Sequence, residues 1–319
     1  MTVAAVSDDE LAALDELGAG GDWDVDGVTL SVSNLDKVLF PPAGTDDEPV
    51  TKRDLLRYLA RAADAVLPYL EGRPCNLVRH PDGIDHDGFW AKAAPKRAPG
   101  WMTQWTNEDA DEGETRSYVV VDRPATLLYL GNLAAVELHP WTSSCERSHE
   151  PDWALVDLDP GDATTFEQIV TLAKLHHAAL DQLDVRAAAK VTGKRGIQIW
   201  IPIAPGSSFA DTQDWVEKLS HLVGDLVPDL VSWAWSKADR GGRARLDYTQ
   251  NARNKTLVAP FSPRAAPGAP VSVPIAWSEL DDPDLAPDRW TVRSALDHLA
   301  AHGDPLRDLI GLDQRLPPL

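Results

Sequence analysis

Two aspartates, Asp157 and Asp159, end the apolar part of ALVDLDPGDATTF, residues 154–166. Residues two apart in a strand share a face, so both carboxylates point the same way. Held that close, they repel unless something positive lies between them. A third carboxylate, Asp247, alternates with Arg243, Arg245 and Thr249 along RARLDYTQ. Hard cations such as Mg2+ or Mn2+ take oxygen ligands, and a pair of them can clamp the attacking and leaving oxygens of phosphoryl transfer. An isolated D-x-D is equally the solvated end of a strand before a Pro-Gly turn.

Other segments offer partners for that chemistry. In VTGKRGIQI, residues 191–199, Gly193 and Gly196 permit a tight turn whose backbone amides can face an anion. Thr192 adds a hydroxyl, and Lys194 and Arg195 add charge. The spacing is not that of a P-loop, and a plain hairpin with a basic tip fits as well. Residues 79–97 interleave Phe89 and Trp90 with Arg79, Lys92, Lys96 and Arg97. Aromatic rings stack on bases while cations meet phosphates, although a hairpin with a basic rim reads the same. The most basic stretch, 238–256, surrounds Asp247, and His139 stands just before the aspartate strand. G-x-S-x-G is absent, so no nucleophile elbow is recognisable. Cys145 and His149 have a loose metal-like spacing, but no second pair completes a zinc site.

Positioning these residues requires mixed secondary structure. Thr51 and Asp54 form a capping-box pattern ahead of Leu55, Leu59, Ala62, Val66 and Leu70 at helical spacing. Strand-like runs follow at CNLVRHP, GFWAK and SYVVV, and 124–141 reads as a helix running into a strand. Helices are expected over 165–182, 211–226 and 290–301. RAAAKVTGKRGIQIWIPI reads as strand, loop, strand, with Ile197, Ile199, Ile201 and Ile203 alternating strictly. Residues 1–28 read as an acidic peripheral extension, with the ordered fold starting near 28–42. The pattern is α+β.

Composition limits the class. The chain has 319 residues, 43% hydrophobic and 25% charged, enough for a sizeable core. A net charge of −20 argues against a nonspecific nucleic-acid binder but leaves room for a local basic groove. Much of the acid lies in segments that read as solvated, including TNEDADEGE at 106–114 and DDPDLAPD at 281–288. Two cysteines suit a reducing compartment. No segment reaches the roughly 18 apolar residues of a membrane span, and the acidic N-terminus is not a signal peptide, so a cytoplasmic protein is expected.

The ordered set SNLDKVLFP, GRPCNLVRHPDGIDHDGFWAK, LAAVELHPW, VDLDPG, VTGKRGIQIWIPI and RLDYTQNARNKTLVAPFSPRAAPGAPVSVPIAWSEL covers roughly residues 30–280. It resembles the polymerase domain of bacterial DNA ligase D, the end-joining branch of the archaeo-eukaryotic primase superfamily. The resemblance implies a primase-like core of mixed and antiparallel sheets flanked by helices. It implies one catalytic domain over 29–319, with a 29–125 subdomain for 5′-phosphate and template contacts and a 126–310 core. It further implies a DNA-dependent polymerase extending primers at gaps and breaks, often with ribonucleotides, using two Mn2+ or Mg2+ ions and a nucleoside triphosphate.

By the same resemblance, Asp157, Asp159 and Asp247 are catalytic and metal-binding. His139, Thr192, Arg195, Gln198 and Arg264 fall at positions that hold the triphosphate. Phe89 and Trp90 match an aromatic pair near the template, and Lys92 and Arg240 match basic residues lining the cleft. Asn34, Lys37 and Lys52 match a pocket for a 5′-phosphate. Where the family has Ser, Thr192 keeps the hydroxyl. Where it has His, Gln198 can donate a hydrogen bond but cannot shuttle a proton. Expected partners are gapped or broken DNA, NTP or dNTP, and end-binding and ligase repair proteins, in the cytoplasm at the bacterial nucleoid. With no ligase or nuclease segment in the chain, a stand-alone member is expected. A noncatalytic DNA-end-binding protein is the alternative, and metal-dependent incorporation separates the two.

Overall fold

A computed structural model describes residues 5–111 and 113–319. The chain forms two compact units, one built from residues up to 141, 258–271 and 290–296, the other from 142–257, 272–289 and 297–319. The boundary expected at 125/126 falls elsewhere, because the strand 135–140 is hydrogen-bonded into the first unit.

The first unit opens with α1 (Asp8–Glu16), which starts at a Ser7–Glu10 capping box. The hairpin β1 (Gly20–Val25) and β2 (Val28–Ser33) follows. The expectation of a peripheral extension over 1–28 is therefore corrected for the described part. Leu14 and Trp23 are fully buried, and Trp23 Nε1 donates to Glu10 O. The acidic residues lie on one face of short elements whose other face is apolar. Short β3 (Val38–Phe40) pairs with β4 (Val50–Thr51), which leads into α2 (Lys52–Val66). The expected Thr51–Asp54 capping box is present, and Leu55, Leu56, Leu59 and Val66 are buried.

The central strand of this unit is β5 (Pro74–Arg79), which pairs with β6 (Phe89–Ala91) and β8 (Glu114–Val120). Between them comes β7 (Gln104–Asp111), the partner of β8. The acidic segment 106–114 contributes to a hairpin on which Glu108, Asp109 and Glu114 are exposed, as expected of a solvated stretch; Glu112 lies outside the described residues. After α3 (Pro124–Asn132), β9 (Ala135–Pro140) returns to pair with β5.

The second unit is built on a five-stranded antiparallel sheet. Its members are β10 (Trp153–Asp159), β11 (Ala188–Val191), β12 (Ile197–Pro202), β13 (Arg245–Asp247) and β14 (Pro274–Ile275), in the order β13-β10-β12-β11-β14. Helices α4 (Phe166–Gln182) and α5 (Phe209–Gly224) start at capping boxes of Thr165–Gln168 and Ser208–Asp211. The last helix, α6, covers Ala295–His302 and begins later than the expected 290. The alternating isoleucines of β12 lie in a strand buried on both faces. Coverage of both faces explains why Trp153 and Trp200 also pack edge-to-face, with centroids 5.3 Å apart. β13 is shorter than the alternation of RARLDYTQ implied. Asp247 closes it by accepting from the Thr249 amide, and Tyr248–Gln250 turns into a 3-10 helix. Among the described residues, no helix is long and apolar enough to cross a membrane.

Candidate active site

In the second unit, sheet register assembles the three carboxylates. Asp157 lies opposite Asp247 across β10 and β13, and Asp159 lies opposite Arg245. Directly paired residues of antiparallel strands share a face, so the three aspartates do too. On its other side Asp157 pairs with Gln198, and Gln198 pairs with Lys190. One row across four strands therefore reads Asp247, Asp157, Gln198, Lys190.

The electrostatics follow from that row. Asp157 retains some accessible surface, yet protein surrounds most of it. Burial pushes its carboxyl up to about 6, with Asp247 and Asp159 adding to the rise; the Gln198 Nε2 hydrogen bond, 3.1 Å, and Lys190 oppose it. Asp159 is held at 2.9 Å by Arg240, and Arg195 approaches to 3.9 Å. Asp247 meets Arg245 at 3.4 Å and accepts from Thr249 and Gln250. Each carboxylate is thus drawn toward its own partner. Among the described residues, the trio whose ligand atoms lie within 4.8 Å of one another is a different one, Glu279, His298 and His302. The aspartate set nonetheless fits a hard divalent cation. All donors are oxygens, they share a face, and the central one is destabilised by the charge a cation would neutralise.

Gly193 turns the β11–β12 connection at φ +71°, and Gly196 has no room for a side chain, since a Cβ there would lie 2.5 Å from Leu158 O. The anticipated amide cradle is corrected. Thr192 Oγ1 accepts from Gly196 N at 3.1 Å and Lys194 N at 3.4 Å, and Gly193 N donates to Pro287 O. The amides of Gly193, Lys194 and Gly196 are therefore already engaged within the protein. Arg195 remains about half exposed, donating to Pro160 O. Arg240, expected among the basic residues lining the cleft, is 6% exposed, its guanidinium bound to Asp159 and to the carbonyls of Ala234 and Trp235.

Two residues of this unit escaped the sequence reading. Lys190 is fully buried, donates to Ser272 Oγ at 2.7 Å and lies 5.7 Å from the Trp200 ring centroid. The register of AAKV against IQIW is the signal that would have placed it beside Gln198. Trp235 is 73% exposed, with the Arg245 guanidinium 4.4 Å from its ring centroid. An indole that open beside a carboxylate cluster is unusual for core packing.

In the first unit, His139 and Arg264 share a buried carboxylate that sequence alone did not single out. Glu137 Oε2 meets His139 Nε2 at 2.8 Å, while Oε1 lies 3.3 Å from Arg264 Nε and accepts from Ala265 N. Strand alternation puts Glu137 and His139 on one face of β9, and that spacing was the available clue. Trp90 pairs with Val78, which pairs with Glu137, so its indole reaches the His139 ring at 4.7 Å. Phe89 and Trp90 are nearly half exposed, Arg79 covers the Phe89 ring, and Lys92 is exposed.

Asn34, Lys37 and Lys52 come from the β2–β3 turn and the start of α2. Asn34 adopts φ +54° and is exposed. Lys52 N donates to Lys37 O, which brings the two lysines together. Lys37 Nζ contacts Asp82 at 2.9 Å, whereas Lys52 is buried with Nζ on the carbonyls of Ser33 and Asn132. Burial lowers the Lys52 pKa, and the nearby charges of Lys37 and Arg79 add to the lowering.

The model of the LigD primase-polymerase domain family matches residues 51–306. The multifunctional non-homologous end joining DNA repair protein LigD of Mycobacterium tuberculosis is 30% identical over 288 residues, which are 88% of this chain and 37% of that protein. LigD of Pseudomonas aeruginosa is 32% identical over 270 residues, 83% of this chain and 32% of that protein. The chain thus spans about a third of the length of these relatives. The solved polymerase domain from Mycobacterium tuberculosis Ligase D in complex with DNA superposes with a TM-score of 0.80 at 26% identity, covering 89% of this chain and 99% of that one.

Proposed function

Because the chain belongs to the LigD primase-polymerase domain family, a family of polymerases that are nucleotidyltransferases, we propose that it extends primer 3′ ends at DNA gaps and breaks by metal-dependent, template-directed nucleotidyl transfer. One observation carries the reading: three carboxylates from adjacent strands share a sheet face, and the central one is desolvated and repelled by the other two. Asp157 and Asp159 would hold two divalent cations, Mn2+ or Mg2+, and Asp247 would complete the site that serves the primer hydroxyl. Bound there, such cations supply Lewis-acid neutralisation of phosphate charge and a lower pKa for that hydroxyl.

The chain's own residues do the rest. Gln198 fixes the Asp157 carboxylate by its amide hydrogen bond, and Lys190 eases the charge behind it. Arg240 and Arg245 hold Asp159 and Asp247 in place. In the second unit Thr192 and Arg195 contact the triphosphate of an incoming nucleotide; in the first, His139 and Arg264, oriented by Glu137, are phosphate-binding residues. Phe89, Trp90 and Lys92 engage the template strand, and Trp235 offers a further ring face for a base. Asn34, Lys37 and Lys52 receive a 5′-phosphate across the gap. Ribonucleotides are the favoured substrates, and end-binding and ligase proteins the repair partners.

The test is extension of a labelled primer into a short gap bearing a 5′-phosphate, with ribo- or deoxynucleotides. Extension should vanish on chelation and return with Mn2+ or Mg2+, faster with ribonucleotides. Binding of gapped DNA without incorporation under any of these conditions would establish the end-binding alternative instead.

A further inference from the structure

Glu279, His298 and His302 belong to the second unit and have no part in the polymerase reading. Glu279 lies in the 3-10 turn Trp277–Asp281, and the two histidines lie one helical turn apart on α6. Side chains four apart on a helix share a face, which is how paired histidines reach one ion. The three residues offer ligand atoms within 4.8 Å of one another.

Their orientation is already fixed. Glu279 Oε2 accepts from Ala276 N at 2.7 Å, which leaves Oε1 facing His298 Nε2, also at 2.7 Å. A carboxylate only accepts, so His298 Nε2 donates to it in the metal-free chain; an ion would displace that proton and spread the two atoms to roughly 3.3 Å, the span of tetrahedral neighbours with bonds of about 2.0–2.2 Å. His302 Nδ1 faces the carbonyl oxygen of His298 at 3.2 Å. A carbonyl only accepts, so Nδ1 carries the proton and Nε2 presents its lone pair, the tautomer a metal-bound histidine adopts when a carbonyl orients it. The two rings stack with centroids 4.6 Å apart and planes at 17°. His298 is buried, Glu279 half-buried and His302 exposed, so turning the exposed ring closes the remaining distance.

We infer that Glu279, His298 and His302 form a binding site for a borderline divalent cation of the Zn2+ class, with a fourth position for water. Two imidazoles and one carboxylate select Zn2+, Co2+ or Ni2+ over Mg2+ and Mn2+, unlike the all-oxygen aspartate set. The ion would tie the 3-10 turn to α6, joining segments that are otherwise separate in the chain.

The experiment uses the full chain, stripped by chelation and titrated with Zn2+ by calorimetry and with Co2+ by visible absorption. Asp157→Ala/Asp159→Ala serves as background, so that the aspartates contribute no cation. One Co2+ per chain is expected, with the ligand-field bands of a nitrogen-oxygen site. His302→Ala and Glu279→Gln should abolish those bands and weaken Zn2+ binding by at least ~10–100-fold, the cost of losing even an orienting group. Cys145→Ser, which removes a half-buried thiol outside the proposed site, should change nothing. His302 is exposed, so its truncation leaves the core intact. Zn2+ affinity and stoichiometry unchanged in His302→Ala would overturn the assignment, as would a wild type that takes up no Zn2+ or Co2+. In the latter case Glu279 and His298 are a hydrogen-bonded pair and nothing more.

Discussion

At the scale of residues, Asp157 carries the strain of the site. Its folded-state pKa, about 6, lies above the ordinary carboxylate value of 3.8. The folded chain then binds more protons than the unfolded chain between pH 4 and 6, so this group's contribution to stability falls as pH rises through that window. Without metal, Asp157→Asn should stabilise the chain at pH 7 by on the order of 2–3 kcal/mol, with no gain near pH 3. Urea unfolding of both chains across pH 3–8 measures this; a difference independent of pH would contradict the assignment. His176 works in the opposite sense, since burial lowers it to about 4, so the comparison must be between the two chains and not of one chain with itself. The aspartates were legible because D-x-D and a third Asp stood among basic residues. Glu137 and Lys190 were not, since their meaning comes from neighbours on other strands.

At the scale of elements, register does the assembling. The alternation of IQIWIPI gave β12, and capping boxes gave the starts of helices, because both depend on neighbours close in sequence. The pairing of Asp157 with Asp247 spans ninety residues, and no local pattern encodes it. The same gap hides the anchoring of the N-terminal 28 residues: their acidic composition suggests a peripheral extension, while Trp23 and Leu14 are buried by contacts remote in sequence. Gly196 is where the site depends on a close approach of two strands. Gly196→Ala should push β12 from β10 and cost about 1–3 kcal/mol, the range for overpacking a filled space. A loss of extension greater than the loss of folded protein is the expected companion, because Asp157 and Gln198 are paired across those strands. Denaturation midpoints and extension rates measured on one preparation check both, and unchanged values would show that the strands can part freely.

At the scale of the whole molecule, the charge of −20 and a DNA substrate are compatible only if phosphate contacts are few and local. Binding to gapped DNA should then weaken steeply with salt. Lys37→Ala should remove the preference for a 5′-phosphorylated gap and lower the salt slope by about 1, the signature of one lost phosphate contact. Equal slopes, or a preference that survives, would place the phosphate elsewhere. The family itself was legible from the order of six segments, whereas the division into two units was not, because the second and third pieces of each unit come from distant parts of the chain.

The most direct test of the account compares wild type with Asp157→Asn in extension of a labelled primer across a 5′-phosphorylated gap, with Mn2+ present and DNA affinity measured in parallel. Unchanged DNA affinity and extension slowed by at least ~10³-fold are expected, the loss of several kcal/mol of transition-state charge stabilisation. Extension at the wild-type rate would contradict this, and the three aspartates would then be the ends of two paired strands and not a catalytic centre.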